Sequence, residues 1–470
     1  MENLFERLRI RKSTNNRMPN WIICFIVIIN IGTLFILTPL GGEAVVKAVE
    51  IVLNRKSVDP DYLVWHVRTV VSAYVVLVTL LVCFVIYTNK LYKFFFTYSL
   101  FTFFYTNFFI WQKKEFYGFR GCWDYGDFVT SIVTGYGDLY GTNYPPLAVA
   151  FFKLFFAFVG KLEIQSSAIN YSVFLYTIFS FLFLYILISY YLCEKCIKIS
   201  FDKMILIAIC LTITSPILFS VQRLNLALIA LAFVGLFLLS YNSNNGAIRL
   251  IGLTSLAIAA NIKYYPAVFG IVLIKEKKWK EAVIAITEGI LLFFMPGVLT
   301  GHMSINGLFD ASASFVDTFG GGMLSLKRII SDVLMLFGGT FSNGVSSIIF
   351  VICEILFFGM CVLGALFCKN MGHTLAYAAF MCIFIPPVSF GYNVVFLLIP
   401  FVVLLKRSCT EGVFTVLDKT EFTLYTLIFA YVLNYPSFIN ISDYRLILIL
   451  VVVICVSTIR QIRLHNNNAL

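Results

Sequence analysis

Trp21 to Leu40 reads WIICFIVIINIGTLFILTPL, a stretch with no charged residue anywhere along it. An α-helix rises 1.5 Å per residue, so a run of about 20 apolar residues crosses the ~30 Å hydrocarbon layer of a bilayer. Working outward, runs of the same kind recur at Val70 to Thr88, Ala168 to Cys193 and Ile348 to Phe367, with a shorter one at Phe422 to Leu433. The whole chain is 60% hydrophobic and 13% charged, whereas soluble domains carry about 25% charged residues. Lipid is therefore the solvent for most of the chain, and backbone polar groups in lipid must bond within their own segment, as helices do. The prediction is an all-α polytopic membrane protein of about 12 to 14 transmembrane helices, with no separate soluble domain.

The net charge of +11 does not point to nucleic acid, because the Lys and Arg residues fall in short interhelical loops and at the two ends. Such placement marks the cytoplasmic side. Arg7, Arg9, Arg11, Lys12 and Arg17 precede the first span and Arg460 and Arg463 follow the last, so both termini are expected in the cytoplasm, with the chain in the plasma (inner) membrane. The first apolar run is long enough to span and lacks a small-residue cleavage site, so it is expected to remain as an anchor. From that start, three spans place Gln112 to Tyr144 outside, and this is the most polar external stretch of the first half. The middle leaves the count open, because Asn143 to Lys161, Met204 to Ser220, Leu224 to Ser240 and Arg249 to Lys275 are ambiguous in length. If one of them is re-entrant, the total falls to 12. Lys275 to Lys280 is a basic inner loop, and Lys369 and Lys406-Arg407 mark two more. The 12 cysteines lie mainly inside apolar segments and form no metal-ligand pattern.

Five polar constellations interrupt the apolar background. The first runs Gly121-Cys-Trp-Asp124-Tyr-Gly-Asp127-Phe128, then Gly137-Asp138-Leu-Tyr140, then Asn143-Tyr144-Pro145-Pro146-Leu147. Carboxylates there suit glycosyl transfer, in which the acceptor hydroxyl loses a proton as it attacks the anomeric carbon; equally, such acids solvate a loop and the prolines start the next helix. The second is Gln222-Arg223-Leu-Asn225 and the third Asn261-Ile-Lys263-Tyr264-Tyr265-Pro266. A lysine within an apolar run calls for a partner or a polar cavity, such as a lipid-linked phosphate, unless it snorkels from a helix end broken by Pro266. The fourth is Ser325-Leu-Lys327-Arg328 and the fifth Pro386-Pro387-Val-Ser389-Phe390-Gly-Tyr392-Asn393, placed in an outer turn. Basic groups at an interface meet either a bound phosphate or lipid headgroups. His66, His302 and His373 stand isolated, as packing or surface residues, and Lys153 and Glu288 lie inside apolar runs as a pair or as separate groups.

Taken together, these motifs resemble the polyprenol-phosphate-sugar-dependent GT-C glycosyltransferases, specifically glycosyltransferase family 87, which includes mannosyltransferases. That family shows Asp-Phe, then Gly-Asp-Pro-Tyr, then Tyr-Pro-Pro-Leu, to which Asp127-Phe128, Gly137 to Tyr140 and Tyr144 to Leu147 are similar in order and spacing. Its Gly-Gln-Val-Asn resembles Gln222 to Asn225, its Ala-x-x-x-Lys-x-Tyr-Pro resembles Ala259 to Pro266, and its Ser-Pro-x-Ser-Trp-x-His-His resembles Pro386 to Asn393. The similarity covers residues 120 to 405.

The resemblance implies a GT-C-like bundle with an external acidic loop, its catalytic core at 112–405, preceded by a tail and three added spans at 1–111 and followed by spans and a cytoplasmic tail at 406–470. It implies an inverting, metal-independent enzyme without a cofactor, moving a hexose, mannose among the candidates, from a polyprenyl-phosphate donor to a cell-envelope glycan or glycolipid. Asp127 would be the general base, with Asp124 ranked second. Lys263, with Arg223, Arg328 and Lys327, would hold the donor phosphate. Asp138, Tyr140, Tyr144, Asn225, Tyr264, Tyr265, Ser389, Tyr392 and Asn393 would contact substrate. The chain departs from the family in placing Tyr392 and Asn393 where two histidines stand and Arg223 where a glutamine stands. The rival class is a transporter, flippase or polymerase of lipid-linked glycans, and a transporter should show an internal repeat with paired broken helices.

Overall fold

In the computed structural model, the described residues are 225–300, 324–330, 343–386, 389, 391–410, 414–430 and 439–467, with shorter pieces within 91–99, 145–150 and 207–220. By its backbone contacts the chain divides between residues 86 and 87, and every described residue belongs to the unit 87–470. Trp21 to Leu40, Val70 to Thr88, Lys153 and Ala168 to Cys193 lie outside the described residues, as do His66 and His302.

Among the described residues the structure is helical and contains no strand. Helix α1 spans Ala227–Ser240 and α2 spans Gly246–Ile262. A 3-10 helix at Tyr265–Gly270 runs into the short α3, Ile271–Lys275, and α4 spans Trp279–Thr300. Then come α5 at Asn343–Phe367, α6 at Met371–Phe384, a 3-10 helix at Gly391–Leu397, α7 at Leu398–Thr410, α8 at Val416–Ala430 and α9 at Ile439–Asn467. Among the described residues, three segments are long and apolar enough to cross a membrane: Trp279–Leu299, Ile348–Phe367 and Gly391–Ser408. The first two turn most of their surface outward, with Leu299, Leu356 and Phe367 exposed, while α6 is buried from Gly372 to Phe384. Large apolar side chains facing outward in this pattern suit a hydrocarbon solvent.

The segment of ambiguous length, 249–275, is not one continuous span. Asn245 caps α2 by accepting from the amides of Ala247 at 2.9 Å and Ile248 at 3.4 Å. The helix climbs for 17 residues, about 25 Å at 1.5 Å per residue. It stops at Ile262 because Pro266 carries no N–H and its ring would collide with the carbonyl four residues back; Lys263 is accordingly extended, at φ −142° and ψ 135°. The 3-10 helix and α3 then return to the level where α2 began. There the Tyr241 hydroxyl donates to Glu276 Oε1 at 2.7 Å, Lys278 Nζ donates to Asn242 Oδ1 at 2.6 Å, and Arg249 lies 3.8 Å from Glu281. The segment thus folds back on itself, with Lys263 at its tip.

The same end gathers the basic turns of Lys275 and Arg407. Lys275 Nζ donates to the Ala365 carbonyl at 2.9 Å and also to the Cys368 carbonyl and Thr374 Oγ1, closing α5 and opening α6. Arg407 pairs with Asp418 at 3.2 Å, joining α7 to α8. His373 is not isolated: its Nε2 meets Glu421 Oε2 at 3.1 Å, both side chains being buried, so it packs α6 against α8. Close approach of helices is set by glycine. A Cβ on Gly364 would stand 2.5 Å from the Tyr377 ring, and one on Gly252 would stand 3.0 Å from the Tyr241 amide nitrogen. Glu288 is half-buried on α4, with Oε2 lacking a hydrogen-bond partner.

Candidate active site

Opposite the basic turns, the tip of the folded segment meets two other parts of the chain. The Tyr265 hydroxyl donates to Asn393 Oδ1 at 2.6 Å, and Asn393 Nδ2 donates to Ser389 Oγ at 2.9 Å. Ser389 and Asn393 are completely buried, so this chain of hydrogen bonds satisfies groups that would otherwise be costly to bury. The Tyr265 ring also packs edge-on against Phe396, with centroids 5.6 Å apart. The Lys263 ammonium lies over the Tyr392 ring at 5.6 Å from its centroid, where the ring's negative face attracts a cation. Of this motif, Ser389 and Gly391 to Asn393 are buried: Tyr392 is 6% exposed, and the 3-10 helix that starts at Gly391 is buried throughout.

A third segment joins through backbone groups. Leu324 N–H donates to the Ser389 carbonyl at 2.9 Å. The turn that follows is capped by Ser325, whose Oγ accepts from the Arg328 amide at 3.3 Å. It carries Lys327 half-buried and Arg328 exposed. A fourth arrives through Ser220, whose hydroxyl donates to the Pro216 carbonyl at 2.8 Å and reaches the Tyr392 carbonyl at 3.4 Å. The Asn225 amide donates to the Ser220 carbonyl at 3.0 Å, and Asn225 Oδ1 accepts from Ala227 N–H at 2.9 Å, opening α1.

Of the sequence-predicted site residues, the structure brings together Asn225, Lys263, Tyr265, Ser389, Tyr392 and Asn393, and it docks the turn bearing Lys327 and Arg328 on Ser389. Tyr264 is 44% exposed and lines a neighbouring apolar cavity. Asp124, Asp127, Asp138, Tyr140, Tyr144 and Arg223 lie outside the described residues. Sequence reasoning missed Ser220, a lone hydroxyl in an apolar run whose only signal is its place two residues before Gln222. Asn261, which opens the third constellation without a role assigned there, donates from Nδ2 to the Ala257 carbonyl and to the Gly289 carbonyl, both at 2.9 Å, tying α2 to α4 just below the tip.

The arrangement is a cation held at the tip of a folded-back hairpin, beside an aromatic face and buried hydroxyl and amide groups. Such a set can take an anion and the hydroxyls of a polar ligand.

No curated protein and no solved structure matches the chain. The model of glycosyltransferase family 87 matches residues 142–386, slightly more than half of the 470 residues. The matched stretch contains Asn225, Lys263, Tyr265, Lys327 and Arg328; Asp124, Asp127 and Asp138 precede it, and Ser389 to Asn393 directly follow it. With that match falling on the helices that build the Lys263 tip, the chain belongs to glycosyltransferase family 87 and is a membrane glycosyltransferase.

Proposed function

We propose that the enzyme transfers a hexose, mannose being the first candidate, from a polyprenyl-phosphate donor to a cell-envelope glycan or glycolipid on the outer face of the plasma membrane. The observation that carries this reading is the convergence of Lys263, Tyr265, Ser389, Tyr392 and Asn393 at one end of the bundle. That end lies opposite the turns bearing Lys275, Arg407 and the loop Glu276 to Lys278. Positive charge collects on the cytoplasmic side of membrane proteins, so the Lys263 end faces outward in this reading, and the basic residues near the two ends of the sequence favour both termini in the cytoplasm.

In the proposed reaction, the acceptor oxygen bonds to the anomeric carbon while the bond from that carbon to the donor phosphate breaks, inverting the configuration. The acceptor proton passes to the Asp127 carboxylate, with Asp124 as the second choice for this role. The leaving polyprenyl phosphate keeps the electron pair of the broken bond and gains negative charge. Lys263, with Arg223, Arg328 and Lys327, stabilises that charge; a cation about 4 Å from a unit charge supplies roughly 4 kcal/mol at an effective dielectric near 20. Tyr265, Ser389 and Asn393 fix the depth of the sugar site, and Asn225, Tyr264, Tyr392, Asp138, Tyr140 and Tyr144 surround the sugar and acceptor.

The test is to incubate purified enzyme with a panel of polyprenyl-phosphate hexoses and envelope extract, reading transfer by mass spectrometry. One donor should support transfer and Asp127→Asn should abolish it with insertion intact. Transfer from nucleotide sugars alone would reject the lipid donor, and full activity of Asp127→Asn would remove Asp127 from the mechanism.

A further inference from the structure

Glu354 is a carboxylate inside a membrane-crossing segment, Ile348–Phe367, and the reaction proposed above gives it no part. It lies on the inward stripe of α5. Phe357, three residues on and so on the same helix face, packs edge-on against Phe384 with ring centroids 5.3 Å apart. Further along the stripe Cys361 and Ala365 are completely buried, and Gly364 backs onto the Tyr377 ring. Ile355 and Leu356, on the other faces of the helix, are 65% and 67% exposed. α5 and α6 are antiparallel, because a short turn held by Lys275 joins Phe367 to Met371. Glu354 therefore stands one turn, about 4.5 Å, beyond the contact of Phe357 with Phe384, toward the Lys263 end, where α6 gives way to the Ser389 segment. The turn bearing Lys327 docks on that segment, through the Leu324 amide on the Ser389 carbonyl at 2.9 Å. The positive charge of Lys327 acts on the Glu354 carboxylate. An acid at membrane depth is costly to keep, and those that are kept face the bundle interior and mark ion or substrate sites.

We infer that Glu354 is a counter-charge set against Lys327, which loosens the site's hold on the phosphate once transfer is complete and so lets the spent lipid leave. The inference rests on the lipid-linked donor proposed above and adds a release step to that site. A polyprenyl-phosphate sugar is a phosphodiester with a single negative charge. The product is a phosphate monoester, whose second pKa near 6 gives it about two negative charges above neutral pH. Cations that stabilise the leaving group therefore hold the product more tightly than the donor, and release then limits turnover. A fixed carboxylate opposes this in the right direction: its repulsion doubles when the charge on the phosphate doubles, so it weakens product binding more than donor binding. Charges that act on one another across the site lie within about one Debye length, ~8 Å. At that separation and an effective dielectric of about 40, between ~20 near a protein surface and ~80 in water, each unit of phosphate charge changes affinity about fivefold. The product's two charges square that factor to about 25-fold.

The experiment measures binding, so its outcome does not depend on the transfer reaction. Undecaprenyl phosphate and its monomethyl ester share one chain but carry about two charges and one; both are titrated onto the full-length enzyme in one detergent at about pH 8. Glu354→Gln should tighten the phosphate about 25-fold and the ester about fivefold, and Glu354→Ala, which also removes bulk, should give the same pair of factors. Glu354→Asp keeps the charge and should move both by less than about twofold. Glu288→Gln, which removes the half-buried acid of α4, should do the same. In transfer assays Glu354→Gln should keep the first turnover, slow the later ones and strengthen inhibition by added undecaprenyl phosphate. Equal factors for phosphate and ester, weaker binding of the phosphate by Glu354→Gln, or Glu354→Asp shifting both ligands as far as Glu354→Gln would overturn the counter-charge. If the factors separate as expected but no polyprenyl-phosphate sugar supports transfer, the donor assignment fails and the anion site stands. If transfer proceeds while the factors do not separate, the proposed reaction stands and Glu354 has no part in it.

Discussion

Tyr265→Phe removes one oxygen and leaves the ring packed on Phe396, so its effect isolates the 2.6 Å hydrogen bond to Asn393. Asn393 Oδ1 then sits fully buried without that donor, and a buried polar group left unsatisfied costs about 1 to 3 kcal/mol. Hydrogen bonds between membrane helices often measure lower, averaging near 0.6 kcal/mol; since the side chain of Asn393 keeps its bond to Ser389, about 1.4 kcal/mol is the working figure, a tenfold change. The bond links the Lys263 segment to the Ser389 segment, so its loss should appear in kcat/KM for transfer as a roughly tenfold fall. Asn393→Ala should cause a similar fall, and the double variant should be little worse than either, because both remove the same link. The assay is initial-rate transfer on the three variants and wild type, with insertion checked by detergent-resistant yield. Falls that multiply to about a hundredfold in the double variant would show two independent contributions and refute the shared link.

Lys263→Met keeps the aliphatic stem and removes the charge, and loss of a charged hydrogen bond of about 1.5 to 3 kcal/mol predicts a ten- to 150-fold fall in kcat/KM, with Lys263→Arg partly active; initial rates with the lipid donor decide it, and a fall under threefold would remove Lys263 from the site. Glu421→Leu leaves the buried His373 without its partner and should lower stability by about 3 kcal/mol, while adding His373→Phe should recover most of it; thermal melts in detergent compare the three. Gly364→Ala places a methyl against the Tyr377 ring and should lower stability by about 1 to 3 kcal/mol. Lys277 is left-handed at φ 57° in the turn after α3, so Lys277→Gly should raise stability by about 1 kcal/mol, again by melting.

Helical class and membrane residence were legible because they rest on composition and run length, which need no tertiary information. The spans at Trp279–Leu299 and Ile348–Phe367 follow the hydropathy directly. The fold-back at Lys263 was legible only as an ambiguity of length, since Pro266 announces a break but not the direction the chain takes afterwards. That direction is set by pairings such as Tyr241 with Glu276, which lie 35 residues apart. The burial of Asn393 was hidden for a related reason: its partner Tyr265 lies 128 residues away in sequence. His373 looked isolated because Glu421 is 48 residues away in sequence.

In the proposed reaction Asp127 and Lys263 act on the same donor. A photo-crosslinking residue placed at position 127 in the membrane-embedded enzyme, with captured peptides sequenced by mass spectrometry, tests it most directly. Capture of peptides carrying Asn261 to Tyr265 or Ser389 to Asn393 is the expected result. Capture instead of peptides from Lys275 to Glu281 or Lys369 to His373 would put the acid at the basic end and contradict it.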